Sequence, residues 1–169
     1  NQAERHNYKT SLMENPAISV ILPVYNAAPY LKEAMECILN QTFTQYEVLA
    51  LNDGSTDNSL DILNGFHDQR IKIISSGENK GLVFQLNRGI EQAKGKYVLR
   101  MDADDTCVPE RFQIQYDYME SHPQIGICGS YVKVFGNENW DWKMPTDDGG
   151  IRFSLLFGAT FAHNAVIIR

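Results

Sequence analysis

Apolar residues in this chain form strand-length runs that alternate with helix-spaced stripes from Ile18 onward. Ile18–Val24 is rich in β-branched residues, which is typical of a buried strand. After it, apolar residues recur at spacings of three and four, the pattern of an amphipathic helix that begins near Pro29. This stripe consists of Leu31, Ala34, Met35, Ile38 and Leu39. The pattern therefore predicts a strand followed by a helix.

The same alternation continues along the rest of the chain. Further strands are predicted at Glu47–Leu51, Ile71–Ser75, Tyr97–Met101, Ile125–Phe135 and Phe161–Ile168. Helical stripes are carried by Leu60, Leu63 and Phe66, by Leu82, Leu86, Ile90 and Ala93 up to Gly95, by the segment from Pro109, and by Ile151–Phe157. The region 136–150 is predicted to be a loop. This order predicts an α/β, Rossmann-like fold with a mainly parallel sheet and helices on both faces. Residues 1–17 are predicted to be a polar extension and residues 18–169 a single domain.

Composition narrows the possible functions. The 169 residues carry 15 Lys and Arg against 21 Asp and Glu, a net charge of −6, which argues against nucleic-acid partners and polybasic membrane binding. No apolar run approaches the roughly 20 residues of a membrane span. Cys37, Cys107 and Cys128 are widely spaced with no CxxC pair, so we expect reduced, packed thiols and a cytoplasmic location.

Polar clusters follow three of the predicted strands. They are Tyr25-Asn26, the run from Asp53 to Asp57, and Asp102-Ala103-Asp104-Asp105. In an open parallel sheet, ligands bind beyond the carboxyl ends of the strands. Acidic side chains crowded at one sheet edge repel each other, and so they imply a metal ion or a donor-rich ligand between them.

Asp102 and Asp104 are candidate metal ligands. Residues i and i+2 of an extended segment project to the same side, so their carboxylates would face one point. Hard oxygen ligands suit Mg²⁺ or Mn²⁺. The alternative is a solvated acidic turn in which Asp105 or Thr106 caps the following helix.

Asp53 is a candidate for binding a ligand donor. It ends a buried strand, where an unpaired carboxylate is costly, and it could accept from an N–H group such as a pyrimidine imide. The alternative is an Asx turn at Gly54. For Asp57 we predict a helix cap only.

Gly89 and Lys80 each have two interpretations, and Arg100 has one. Gly89 inside a predicted helix indicates the close approach of another backbone or packing against a strand. Lys80 is a candidate phosphate contact, although a solvated loop lysine is the commoner case. Arg100 lies in an apolar strand, and we expect it to pair with one of the clustered aspartates.

Four ordered motifs resemble family 2 glycosyltransferases of GT-A fold. They are Ile18–Asn26, Leu51–Asp57, Asn87-Arg88-Gly89 with Gly95, and Met101–Asp105. The resemblance extends from about Ile18 to Arg169. It implies an inverting transferase that takes a sugar from a nucleotide diphosphate sugar, often UDP-linked, with a glycan or lipid-linked acceptor.

The resemblance also implies roles for individual residues. Pro23, Tyr25 and Asn26 would line the nucleotide pocket, and Asp53 would hold the uracil. Asp102 would meet the ribose or the metal-bound diphosphate, and Asp104 would ligate Mn²⁺ or Mg²⁺. Lys80 joins the candidate nucleotide-binding residues.

The sequence departs from the family pattern in one respect. Family members carry the general base, an aspartate, downstream of the segment that Phe161–Arg169 resembles, and Asp147 and Asp148 come too early. We therefore expect a donor-binding portion truncated before the acceptor portion, with the base beyond Arg169, and peripheral membrane association through missing residues stays open.

Rival functions also stay open. A noncatalytic nucleotide-sugar-binding domain would need no base. A nucleotidyltransferase would show a glycine-rich basic loop after the first strand, and a phosphoacceptor signalling domain would show an acidic pair there. Tyr25 and Asn26 match neither pattern.

Overall fold

The computed structural model describes residues 15–169, so most of the predicted polar extension lies outside the described residues. Within them, a six-stranded sheet has the strand order β3-β2-β1-β4-β8-β5. Its strands are β1 (Ile18–Val24), β2 (Tyr46–Asp53), β3 (Ile71–Ser76), β4 (Tyr97–Arg100), β5 (Ile127–Cys128) and β8 (Ile167–Ile168). The first four strands are parallel, and β8 is antiparallel to both of its neighbours. The prediction of a mainly parallel sheet is confirmed.

Helices connect the strands, and a small hairpin stands apart from the main sheet. The helices are α1 (Ala28–Leu39), α2 (Ser59–Asn64), α3 (Leu82–Gln92), α4 (Arg111–Ser121) and α5 (Asp148–Leu155), with a 3₁₀ turn at His163–Ala165. The hairpin pairs β6 (Val132–Val134) with β7 (Trp140–Trp142). No helix within residues 15–169 has both the length and the apolar character needed to cross a bilayer.

Helices cover both faces of the sheet. Alternate residues of β1 point to opposite faces, and Val20 and Leu22 pack in one core with Leu31 of α1 and Phe112 of α4. On the other face Ile21 lies against Gly89 of α3. Because β1 is buried on both sides, its sequence is almost continuously apolar. The prediction of helices on both faces is confirmed.

The order in which strands join the sheet changes direction after β3, so that β1 and β4 are neighbours at the point of reversal. From β1 it adds β2 and then β3 on one side, and afterwards it crosses back to place β4 on the other side of β1. Connections leaving β1 and β4 at their carboxyl ends therefore diverge, which opens a crevice between them. This is the position at which open α/β sheets bind ligands.

The later part of the chain departs from the predicted elements. The predicted strand Ile125–Phe135 is wrong as one element, because β5 joins the main sheet and β6 joins the hairpin. The break lies at Gly129, which packs against the Phe161 ring. The predicted strand Phe161–Ile168 is reduced to β8 after the 3₁₀ turn, and the predicted loop 136–150 contains β7.

Gly95 allows the connection after α3 to lie close to the first residues of β1. We predicted that it closes the helix, but α3 ends at Gln92. A Cβ at Gly95 would lie 2.5 Å from the backbone nitrogen of Ser19 and 2.7 Å from the carbonyl carbon of Ile18. Close backbone approach is therefore found at Gly95. Gly89 meets the side chains of β1 and β2, which matches the packing alternative.

We expect Gly95→Ala to lower the free energy of unfolding by about 2 kcal/mol or more, because the added methyl group overlaps backbone atoms that cannot move aside. Gly126→Ala is the matched control, since a Cβ there meets no atom within 4 Å. Urea denaturation of both variants tests this, and equal stability of the two would contradict the packing described.

Candidate functional site

A cavity of about 360 Å³ lies in the crevice beyond the carboxyl ends of the parallel strands. Its wall includes the segments that follow β1 and β4, the end of β2 and the start of α3. Among the residues singled out from the sequence, it contains Pro23, Tyr25, Asn26, Asp53, Asp102 and Asp104. Asp53 and Asp104, 51 positions apart in the chain, therefore face one space.

Asp53 forms the centre of a hydrogen-bonded anchor at the end of β2. Its side chain is buried, and Oδ1 and Oδ2 accept from the backbone N–H groups of Lys80 and Gly81, each at 2.8 Å. Oδ1 also accepts from Nε2 of Gln85. Burial raises the pKa of Asp53, but the three donors outweigh it, and the pKa lies below the ordinary value of 3.8. The ionised carboxylate thus fixes the start of α3.

Gly54 lets the loop before α3 lie directly on the end of β2. Its φ is +66°, a backbone region that favours glycine. A Cβ there would lie 2.5 Å from the carbonyl carbon of Glu78. The anchor at Asp53 and the contact at Gly54 together place the loop at the cavity wall.

Asn26 and Asp57 join the loops that follow β1 and β2. Asn26 has a φ of +50°, and its Oδ1 accepts from the backbone N–H of Thr56 at 2.8 Å. Asp57 accepts from the N–H groups of Ala28 at 3.0 Å and Ser59 at 2.9 Å, at the starts of α1 and α2. This geometry agrees with the predicted capping role of Asp57.

The acidic segment after β4 combines a paired and an open carboxylate. Asp102 accepts from the guanidinium of Arg100, with Nη2 and Oδ1 2.8 Å apart. The expected carboxylate partner of Arg100 is therefore found. Asp104 is exposed and carries no hydrogen bond that ties it to the protein among the described residues.

The pKa of Asp105 reflects its burial and the negative charge of the acidic segment. It is half-buried and accepts from Nδ2 of Asn164. Burial is the main cause that raises its pKa, and the negative charges of Asp102 and Asp104 raise it further. The alternative in which Asp105 or Thr106 caps the next helix is not seen, since Glu110 precedes α4 without a side-chain cap. Three crowded carboxylates favour a nearby cation.

Arg111 ties the acidic segment to the end of the described chain. Its guanidinium is buried, and Nη2 donates to the carbonyl oxygens of Arg100 at 3.2 Å and Asn164 at 3.1 Å. These contacts hold the end of β4 beside the 3₁₀ turn, so Asn164 can reach Asp105.

Asp102 and Asp104 suit a metal ion that is shared with a ligand. Within residues 15–169, no group of three or more His, Cys, Asp or Glu side chains is placed to hold a metal ion. Mg²⁺ and Mn²⁺ accept hard oxygen ligands, and Mg²⁺ is commonly held by one or two carboxylates together with substrate phosphates. The donor set therefore fits such an ion with open coordination positions.

A sequence model described as Glycosyl transferase family 2 matches residues 19–165 of the chain. The chain belongs to this family.

Two relatives illustrate the match to family 2 members. An uncharacterised glycosyltransferase of Haemophilus influenzae is 36% identical, and the alignment covers 93% of this chain and 53% of the relative. Glycosyltransferase GlyG of Streptococcus pneumoniae is 38% identical over 68% of this chain and 38% of the relative. The chain thus spans about half of the first relative and less of the second.

Solved structures share the fold. TarS 1–349 of S. aureus, in complex with UDP, superposes with a TM-score of 0.60 at 29% identity, covering 63% of this chain and 32% of TarS. A mannosyltransferase of Pyrobaculum calidifontis, in complex with GDP-Man and Mn²⁺, gives a TM-score of 0.61 at 24% identity over 67% and 34% of the two chains. The second likeness bears on the fold alone. The expectation of a GT-A fold is confirmed.

Lys80, for which a phosphate contact and a solvated loop lysine were the two alternatives, lies beside the cavity. Its side chain is not part of the cavity wall; Nζ lies 5.1 Å from the centre of the Phe84 ring and 4.0 Å from Glu78. The structure shows a contribution of Lys80 through its backbone N–H, which binds Asp53.

Sequence reasoning missed Tyr30 and Gln85 in the cavity wall. Tyr30 lies on the first turn of α1 and is exposed. Gln85 is fully buried, and its Nε2 bridges Asp53 and Ser76 while its Oε1 has no partner among the described residues. For Gln85 the sequence offered one signal, a polar residue that lies between the apolar positions Leu82 and Leu86 of the predicted helix.

We expect Asp53→Asn to lower the free energy of unfolding by about 2 kcal/mol at pH 7, since it removes the charge that three donors bind. A carboxylate with a lowered folded-state pKa stabilises the protein above its ordinary pKa of 3.8 and loses this effect as the pH falls through the folded value.

The stability gap between wild type and Asp53→Asn should therefore be constant from pH 7 to about pH 5 and shrink below about pH 4. Denaturation measured across this range tests the sign. Asp141→Asn, at an exposed position, should show no such gap. A gap that grows on acidification would exclude the anchor as described.

Proposed function

We propose that this chain is the donor-binding portion of a cytoplasmic inverting glycosyltransferase that uses a nucleotide diphosphate sugar, a UDP-sugar, with a glycan or lipid-linked acceptor. One observation carries the proposal: Asp102 and Asp104 line the same cavity as Asp53, in the crevice beyond the carboxyl ends of β1 and β4. Family membership supports the reaction class.

The nucleoside end of the donor is assigned to the segments after β1 and β2. In this assignment Pro23, Tyr25 and Asn26 bound the base and ribose, and Asp53 accepts from the imide N–H of uracil. Oδ2 of Asp53 receives a single hydrogen bond from the protein among the described residues, which leaves it room to accept another. TarS, at 29% identity, has been solved with UDP and with UDP-GlcNAc.

The diphosphate end is assigned to the acidic segment. A bound Mn²⁺ or Mg²⁺ would act as a Lewis acid that stabilises the departing diphosphate. Asp104 would hold the ion directly, while Asp102, oriented by Arg100, would contact the ion or the ribose. Asp105 is engaged by Asn164 and is not assigned to the ion.

The acceptor end is assigned to residues outside the described part. Inversion requires one displacement at the anomeric carbon and a base that takes the proton of the acceptor hydroxyl. Each carboxylate that lines the cavity within residues 15–169 already has a donor-side role in this proposal. The general base is therefore expected beyond Arg169, as the family resemblance implies.

We expect Mn²⁺ to strengthen the binding of a UDP-sugar to the wild-type protein. Asp104→Asn should remove this gain. In the presence of Mn²⁺ the variant should therefore bind the UDP-sugar at least tenfold more weakly than the wild type, with the affinity that the wild type has in EDTA. Calorimetry with UDP-GlcNAc and GDP-mannose in parallel measures metal dependence and base preference together.

Asp141→Asn removes one exposed carboxylate away from the cavity and should keep the full effect of Mn²⁺. Metal-independent binding by the wild type would refute the metal assignment. Preference for GDP-mannose would refute the uracil assignment while leaving the diphosphate assignment standing.

We expect the 169 residues to bind the donor without transferring its sugar, because the base is assigned elsewhere. Donor consumption in the presence of candidate acceptors, compared with that of a longer protein that includes the following residues, measures this. Rapid transfer by the 169 residues would show that they contain a base. Donor binding without transfer by the longer protein would favour the noncatalytic alternative.

A further inference from the structure

Two cysteines that the proposed donor site does not use meet directly behind the acidic segment. Cys37 lies on α1, and Cys107 lies in the loop between Asp104 and α4. Their Sγ atoms are 3.6 Å apart, and the backbone N–H of Cys107 donates to Sγ of Cys37 at 3.3 Å. Both residues are half-buried. The fold thus brings together two thiols from positions 70 residues apart.

The surroundings of the pair favour a thiolate on Cys107. Nε2 of Gln41 donates to its Sγ at 3.3 Å. A hydrogen bond from the Cys37 thiol is the main cause that lowers the pKa of Cys107; burial opposes it, and the charge of Arg111 supports it. The same hydrogen bond is the main cause that raises the pKa of Cys37. The opposite directions of the two pKa shifts favour the shared proton on Cys37 and the charge on Cys107.

The third cysteine lacks these features. Cys128 is also half-buried and its Sγ contacts the carbonyl oxygen of Gly129 at 3.4 Å. Burial raises the pKa of Cys128. It therefore provides an internal comparison for the reactivity of the pair, because thiolate character and access decide how fast a thiol is oxidised.

We propose that Cys37 and Cys107 form a reversible oxidation site, at which a peroxide joins them in an intramolecular disulfide. The Cys107 thiolate attacks one peroxide oxygen, so an S–O bond forms, the O–O bond breaks, and the leaving hydroxide takes up a proton to become water. The Cys37 sulfur then attacks the sulfenic sulfur. The S–S bond forms, the S–O bond breaks, and the Cys37 proton leaves in a second water molecule.

The disulfide would act on the acidic segment. A disulfide sulfur pair is separated by about 2.05 Å, so the 3.6 Å gap closes through rotation of the two side chains together with movement of the loop that carries Cys107. Cys107 follows Asp104 by three positions and lies 3.9 Å, between sulfurs, from the buried Met101. Movement of this loop would reach the segment Asp102–Asp104 through these two connections, and we expect oxidation to weaken ligand binding there.

The test treats the reduced, purified protein with hydrogen peroxide at neutral pH and follows the intact mass and the tryptic peptides. We expect the loss of two hydrogens, a Cys37–Cys107 cross-linked peptide, and recovery of both thiols with dithiothreitol. Cys37→Ser and Cys107→Ser should each abolish the cross-link, whereas Cys128→Ser should form it as the wild type does.

Reactivity gives a second readout that does not need the cross-link. Iodoacetamide at neutral pH should alkylate Cys107 at least tenfold faster than Cys128 in the folded protein, and the two rates should converge in urea. Equal rates in the folded protein, a cross-link that involves Cys128, or oxidation that stops at separate sulfenic or sulfinic acids would each overturn the proposal.

The effect on the acidic segment is measured with Mn²⁺ and UDP-GlcNAc, before and after peroxide. Binding should weaken at least threefold in the wild type and in Cys128→Ser, stay unchanged in Cys37→Ser, and return with dithiothreitol. If the cross-link forms but binding is unchanged, the coupling to the acidic segment is refuted. Absence of binding by the reduced protein as well would refute the proposed function and leave the cross-link result intact.

Discussion

The buried carboxylate of Asp53 joins the end of strand β2 to the start of helix α3 at the cavity wall. It ends β2, and its acceptors hold the backbone at the start of α3, which covers the opposite face from α1. A neutral side chain in this place would leave two backbone N–H groups and Nε2 of Gln85 with weaker partners, and buried donors of this kind are costly to leave unpaired. The charge of Asp53 therefore helps to set the position of the start of α3, and with it one wall of the cavity.

β1 and β2 were predictable because they are buried on both faces, which makes their sequences almost continuously apolar. β1 was predicted with the bounds that the structure has, and β2, β3 and β4 within two residues at each end. After β4 the strands are two or three residues long, and the pairing of β5 with β8 joins segments that are distant in sequence. A run of apolar residues there does not show which sheet each residue joins.

The helix α3 shows where the hydrophobic pattern misleads. The stripe of Leu82, Leu86 and Ile90 predicted its packing face, yet Leu82 and Ile90 are about half exposed while Gln85 and Gly89 are buried. Two local facts outweigh hydrophobicity here: the hydrogen bond from Gln85 to Asp53, and the absence of a side chain at Gly89 where Ile21 approaches. Packing of Gly89 against a strand was one of two alternatives predicted from the sequence, whereas the hydrogen bond from Gln85 depends on where β2 ends. Clustering of the acidic residues, in contrast, followed from the common direction of parallel strands, whereas the side-chain direction of Lys80 in its loop did not.

Within the described residues, the cavity wall ends at Asp104, and nothing from the hairpin or α5 contributes to it. The residues that line the cavity thus all lie upstream of the stretch whose elements are short and exposed. Substitutions that accumulate in that downstream stretch do not replace any residue that lines the cavity. A protein arranged in this way can diversify one end of its chain over evolutionary time while inheriting the other essentially whole.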